Sequence, residues 1–412
     1  MTPAAVAKPS KTRARYAAKR EAILAAAVDV FHESGVSGFT LAAVAKRMDL
    51  HPVSLTYYFK KKEDLAAAVL FDTIHRWEDM LESAEALATP QARLTRFVEA
   101  YFEMRRKVAE GEALRLTPFS EIRLIEGEQQ GPLNDAFDSL YVRIGRLMKS
   151  DHMPWVTAPR RQALARLVVN LLGWTDTWIE AYEASDYPRV AARIAEVMVG
   201  GVAAVGQPWP QAPLLTLGPP VAQNDEVTRE SFLNAATDLI NSSGYRGASV
   251  DKISARLKVT KGSFYHHNAD KDELAVACFM RSFELIDEAK RRAMAADSGW
   301  ERLWLAVSSL AMHQVSGVGG RMLRHYALAA VPSSMHHDMV VRFHQIAHSF
   351  AGLISDGVAD GSLKPVDALL AAHVLMVGFN AAMSMDPRGR PGDTARVMED
   401  YVRPMLLGFF VE

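Results

Sequence analysis

Apolar residues recur at helical spacing through almost the whole chain, and the alternation of a half-buried strand is nowhere sustained. Over residues 20–34, Ile23, Ala27, Val30 and Phe31 share one helical face, and Gly35 follows where a left-handed C-cap is wanted. Thr40 then stands as an N-cap before Leu41, Val44, Ala45 and Met48, the apolar face of a second, short helix. Asp49 and Leu50 make a turn. His51 takes the next cap position and Pro52 the first helical position, where a missing N–H costs nothing, so a third helix is predicted through Tyr58.

The same grammar returns 209 positions later. Phe232, Ala236, Leu239 and Ile240 form the first face and Gly244 ends it; Ser249 caps a helix bearing Val250, Ile253 and Leu257, and Thr260 caps one running through His267. Arg20, Asp29, Gly35, Gly38, Arg47, Ser54, Lys62 and Leu65 match Arg229, Asp238, Gly244, Gly247, Arg256, Ser263, Lys271 and Leu274. Coincidence does not place both glycines and the apolar frame together, so the repeat is a whole domain.

Beyond each head the pattern lengthens into amphipathic helices. They are predicted at about 65–87, 91–109, 133–149, 158–184 and 187–203, then at 271–295, 299–314, 320–331, 335–358, 366–385 and 394–410. Prolines crowd residues 204–226, which read as a semi-rigid linker. The predicted fold class is all-α, with two tandem units, each a three-helix head on a helical bundle. The boundaries are a flexible basic arm at 1–19, heads at 20–66 and 227–275, regulatory domains at 67–203 and 276–412, and the linker between them.

Composition narrows the chemistry. The chain has 412 residues and a formal net charge of −1, so any nucleic-acid surface must be local. Residues 1–20 supply one candidate, with Lys8, Lys11, Arg13, Arg15, Lys19 and Arg20 and no acidic residue. No apolar run reaches membrane-helix length and the N-terminus lacks the apolar core of a secretory signal, so a cytoplasmic protein is expected. Cys278 is the only cysteine, which excludes an internal disulfide and a cysteine zinc site. No phosphate loop, nucleophile elbow or paired carboxylate site is present, so neither catalysis nor a cofactor is expected.

Two short helices joined by a tight turn, the second capped at its start, form a helix-turn-helix, narrow enough for a major groove. The third-helix stretches, Leu50-His51-Pro52-Val53-Ser54-Leu55-Thr56-Tyr57-Tyr58-Phe59 and Val259-Thr260-Lys261-Gly262-Ser263-Phe264-Tyr265-His266-His267, each lead into a Lys-acidic-acidic-Leu start of a fourth helix. Together with the heads they close, these stretches resemble the tetracycline-repressor (TetR) family of bacterial transcription regulators over about 47 residues per copy. Val53 stands where the family has glycine and Thr56 where it has an aromatic; His267 and Asn268 replace the aromatic pair of Tyr58 and Phe59.

The resemblance implies base or phosphate contacts from His51, Ser54, Thr56 and Tyr57, with Pro52 and Tyr58 shaping that helix. In the second copy it implies Thr260, Lys261, Ser263, Tyr265 and His266, with Gly262 letting the backbone approach DNA. Thr40 and Ser249 would present helix-start N–H groups to phosphate, and Lys62 and Lys271 would reach the backbone. Implied partners are duplex operator DNA in the bacterial nucleoid and a small apolar or amphipathic effector, with no membrane.

Met322, Tyr326, Met335, Phe343, Phe350, Met376 and Phe379, among histidines that include His344, make the second bundle the pocket candidate. His337, His344 and His348 share a face, yet no carboxylate or thiolate recurs at ligand spacing, so they are expected to line a cavity or interface and not to bind metal. Leu171, Leu172, Trp174 and Trp178 are expected to face Val374, Met376, Val377 and Phe379, joining the halves as an intramolecular pseudo-dimer open to further self-association. The alternative is a protein–protein regulator whose second head has lost DNA.

Overall fold

Capping residues fix the start of the short helices in both heads, in a computed structural model that describes residues 11–219, 227–267, 270–324, 327–328, 333–381 and 394–412. The first head comprises α1 (Lys11–Gly38), α2 (Leu41–Arg47) and α3 (Pro52–Thr56). The Ala43 N–H donates to Thr40 Oγ1 at 3.0 Å, so α2 starts where the sequence puts it. In the turn after α2, Asp49 has φ +53°, and Lys258 repeats that left-handed backbone at φ +56° in the second head.

That second head is α9 (Arg229–Gly247), α10 (Val250–Leu257) and α11 (Lys261–His267), labelled after the first-half helices given below. Gly244, expected to end the helix, takes φ +72° and kinks α9, which runs on to Gly247. The first copy departs from expectation at both ends. Helix α1 runs through Gly35 to Gly38, and it begins at Lys11, so residues 11–19 of the expected flexible arm are helical; residues 1–10 lie outside the described residues. Helix α3 ends at Thr56, two residues early.

The first half continues with α4 (Lys62–Glu85), α5 (Pro90–Ala109), α6 (Gln130–Leu147), α7 (Ala158–Trp174) and α8 (Tyr187–Gly200). The helix expected over 158–184 stops at Trp174 because the Leu172 carbonyl is taken by two hydroxyls. Thr175 Oγ1 donates to it at 2.7 Å and Tyr101 Oη at 2.6 Å, and short 3-10 turns follow. The second half adds α12 (Lys271–Ala293), α13 (Gly299–Ser316), α14 (Ser333–Ala359), α15 (Ala368–Ala381), α16 (Thr394–Val397), a π turn (Met398–Val402) and α17 (Arg403–Leu407).

No helix forms over residues 321–324, where one was expected; Met322 there exchanges backbone hydrogen bonds with the buried Gln314 side chain, 2.8 Å and 3.1 Å. The linker also differs from a free spacer. The Trp300 Nε1–H donates to the Pro208 carbonyl at 2.9 Å, Trp209 packs edge-on against Trp300 and Trp304, and the Leu215 N–H donates to Ser309 Oγ at 3.0 Å. Residues 204–219 are thus pinned along α13.

Packing divides the chain into two compact units that cut across the repeat: Met1–Met80 with Met104–Leu140, and Leu81–Glu103 with Tyr141–Glu412. The expected regulatory domain at 67–203 is therefore not one packing unit, because α7 and α8 bury their apolar faces on second-half helices. In the first unit Ile23, Phe31, Val44, Leu55, Phe59, Leu65 and Ile74 form the core. In the second, α7 packs on α15, and α8 on α15 and α17. The Val202 N–H donates to the Leu406 carbonyl at 2.8 Å and the Phe409 N–H to the Met198 carbonyl at 2.9 Å.

At that crossing two helix ends touch backbone to backbone. Gly201 has φ +65°, and a Cβ there would lie 2.3 Å from the Leu407 carbonyl carbon; Gly408 has φ +105° and would meet the Val199 oxygen at 2.4 Å. Gly361, at φ +78°, has open space around it. Gly361→Ala is therefore expected to cost only the backbone strain, about 1–3 kcal/mol, and Gly201→Ala to cost distinctly more, since strain and overlap add. Urea unfolding of both variants reads this, and equal losses would contradict the crossing.

Candidate nucleic-acid interface and effector region

Leu55 and Phe59 anchor α3 in the first core, and that anchoring decides which side chains are left outside. His51, Pro52, Ser54, Thr56 and Tyr57 are all exposed, Tyr57 at 75% and the neighbouring Val53 at 67%. His51 is the N-cap: its Nδ1 accepts from the Val53 N–H at 3.4 Å. Thr56 Oγ1 donates back to the Val53 carbonyl at 2.8 Å, while Tyr58, half-buried, packs edge-on against Tyr57 at 5.1 Å. Lys60, Lys61 and Lys62 are exposed just beyond.

The second head repeats the presentation with other chemistry. Phe264 is fully buried; Thr260, Lys261, Gly262, Tyr265 and His266 are exposed, and Ser263 is half-buried. The Ser263 N–H donates to Thr260 Oγ1 and the Lys252 N–H to Ser249 Oγ, both at 3.3 Å, so both expected caps form. Two cations already have neighbours. Lys261 Nζ lies 2.7 Å from Asp251, which raises its pKa, and Lys271 Nζ sits 3.9 Å above the Tyr245 ring. Asn268 lies outside the described residues.

Sequence reasoning missed a charged node that occurs in both heads. Arg47 of α2 contacts Asp29 at 3.2 Å and Glu33 at 2.6 Å, and Arg115, on the segment after α5, reaches Asp29 at 3.6 Å. In the second head Asp238 holds Arg256 at 2.6 Å and Arg321, on the segment after α13, at 3.3 Å. The paired positions Asp29 with Asp238 and Arg47 with Arg256 carried the signal in the repeat itself. Buried Asn241 adds a second tie in the second half, donating to the Met322 carbonyl at 3.0 Å and accepting from the Arg324 N–H at 2.9 Å.

A scan against protein families finds the model described as bacterial regulatory proteins, tetR family, over residues 23–69 and again over 232–278, the stretches that hold the two heads. The chain belongs to the TetR family. It carries that family's DNA-binding helix-turn-helix head twice, in tandem. Among curated relatives, the transposon Tn10 TetC protein of Escherichia coli is 36% identical over 81 residues, 20% of this chain and 41% of that protein. The HTH-type transcriptional regulator RutR of Escherichia coli K12 is 28% identical over 151 residues, 36% of this chain and 71% of RutR. The chain thus spans less than half the length of TetC. Among solved structures, the TetR-family regulator PfmR from Thermus thermophilus aligns with a TM-score of 0.35 at 18% identity, covering 42% of this chain and 95% of that one.

Of the expected effector residues, Phe343, Phe350, Met376 and Phe379 are closely packed in this TetR protein's second bundle. Phe343 meets Trp174 at 5.1 Å, Phe283 at 5.0 Å and Phe279 at 6.1 Å; Phe350 meets Phe379 at 6.2 Å. Met322 and Met376 are buried, Tyr326 lies outside the described residues, and the side chain of Met335 is not described. Trp174 and Trp178 meet second-half residues, with ring contacts to Phe343 and His373, and α7 packs on α15, the helix that carries the four residues expected opposite them. Among the described residues no group of three or more His, Cys, Asp or Glu is placed to hold a metal, and no helix is long and apolar enough to cross a membrane.

His373 stacks on Trp178 at 4.6 Å and 13°, its Nδ1 buried without a hydrogen-bond partner, and His344 Nε2 lies 3.0 Å from the Thr177 carbonyl. Burial first, then the charges His344 and His348 would carry, push the His373 imidazole down to about 3. The folded state therefore keeps this ring neutral while the unfolded chain protonates it near its ordinary value of about 6.5. Its contribution to stability is complete above that value and drains as pH falls toward about 3, at about 1.4 kcal/mol per pH unit. Melting at pH 7.5 and pH 5 is expected to show a larger loss for the wild type than for His373→Phe; equal losses would contradict this protonation state.

Proposed function

We propose that this TetR-family protein is a repressor that grips operator DNA with the exposed faces of α3 and α11 and is released by a small effector. The observation that carries the reading is the sidedness of α3, where Leu55 and Phe59 are buried while His51, Ser54, Thr56 and Tyr57 face outward. Helix α11 supports it with the same sidedness around Phe264. In this reading α2 and α10 bring helix-start N–H groups to phosphate, and Lys60, Lys61 and Lys62 add backbone charge.

Both heads belong to one chain, so we read it as a fused pseudo-dimer. The packing of α7 and α8 on α15 and α17 supports this, because helices from both halves share one buried face. The two recognition helices differ at most exposed positions, so the operator is expected to have unlike half-sites. The effector is an apolar or amphipathic molecule taken up among the aromatic side chains around Phe343, and it acts only by favouring one arrangement of the heads. The nodes at Asp29 and Asp238, where bundle segments touch α1 and α9, are the route by which a bundle change reaches a head.

A second reading keeps DNA binding in the first head alone and gives the second head to a protein partner. The Lys261–Asp251 ion pair favours it, since Asp251 offsets a recognition-helix cation and the first head has Ala42 at that position.

Gel-shift titration on operator DNA separates these. Tyr57→Ala and Lys62→Ala are each expected to weaken the complex by about 1–3 kcal/mol if they are good contacts, and Lys261→Ala to do so only if both heads bind. Undiminished binding by the Tyr57→Ala, Lys62→Ala double variant would overturn the first-head assignment.

A further inference from the structure

Helix α1 begins nine residues upstream of the matching start of the second head, and Tyr16 and Arg20 make tertiary contacts there. The Tyr16 ring stacks on Tyr58 at 4.9 Å and 27° and meets Tyr57 edge-on at 5.9 Å and 75°. One turn later the Arg20 guanidinium lies 5.3 Å over the Phe59 ring. Two successive turns of α1 are thus seated on the end of the recognition helix and the turn that leaves it.

Elementary physics gives this contact a purpose. A short basic segment bearing Lys11, Arg13, Arg15, Lys19 and Arg20 gains little by being helical alone, because nucleation is costly and like charges one turn apart repel. Tyr57, at 75% exposure, has few neighbours to fix its ring. An aromatic cluster answers both needs, since each well-placed ring pair adds about 0.5–1.5 kcal/mol beyond the area buried. Tyr16 itself stays 38% exposed, so the cluster remains at the surface where α3 presents its polar face. The second head has Asp225 at the matching sequence position, and its α9 starts at Arg229 behind the Thr228 cap.

We infer that Tyr16 is a positioning residue for DNA binding: it fixes the Tyr57 ring at the interface and holds the basic first turns of α1 beside the recognition helix, where their charges meet phosphate. This rests on the first head being the DNA-binding one, and it makes that head the stronger of the two.

The test uses the full chain and operator DNA at several salt concentrations, with Tyr16→Ala, Tyr16→Phe and Tyr57→Ala. Tyr16→Ala is expected to lower affinity about tenfold. The slope of log affinity against log salt should also flatten, by about 0.9 for each phosphate that is no longer neutralised. Tyr16→Phe, which keeps the ring, should restore both, with every variant folded as read by helical circular dichroism. Wild-type affinity and slope for Tyr16→Ala overturn the inference when Tyr57→Ala is impaired, and if Tyr57→Ala is also unimpaired the first-head reading falls with it. Lower affinity with an unchanged slope overturns the placing of the basic turns, and failure of Tyr16→Phe to rescue would make the hydroxyl itself the contact.

Discussion

The second compact unit depends on one interaction, the burial of α7 and α8 against α15 and α17. Helices separated by nearly half the chain share a face there, and the ends of α8 and α17 come so close that only glycine fits at positions 201 and 408. Backbone hydrogen bonds close the contact from both sides, and Lys364 adds its Nζ to the Gly200 carbonyl at 2.6 Å. Because both partners are in one polypeptide, this surface is buried without the concentration dependence that pairing of separate chains would bring.

The segment between the halves is drawn along α13 by Trp209, Pro208 and Leu215 instead of hanging free. The α13–α14 segment is held by Asn241 and Gln314 on either side of Met322, so second head and second bundle share polar ties as well as apolar packing. In both heads an aspartate of the first helix joins the helix-turn-helix arginine to an arginine from the bundle side. Such surface and half-buried pairs add little stability each, but they link elements that a change in the bundle would have to move together.

The heads were legible in the sequence because their signals are local. Thr40, His51, Pro52, Ser249 and Thr260 act within a few residues of themselves, and the repeat doubled every signal. What escaped was decided by distant partners. Helix α7 ends at Trp174 because Tyr101, far along the chain, occupies a carbonyl of its last turn. The start of α1 read as a flexible arm because its composition is basic, while the stacking of Tyr16 on Tyr58 is a tertiary fact. Residues 321–324 carry a helical pattern, yet the Gln314 and Asn241 side chains claim their backbone groups.

The central claim is that one chain does the work that two chains would otherwise share. Light scattering of the free protein and of its complex with operator DNA measures this directly. One chain per operator is expected, with unlike half-sites both protected from cleavage. Two chains on a palindromic site, protected only where first heads bind, would contradict it.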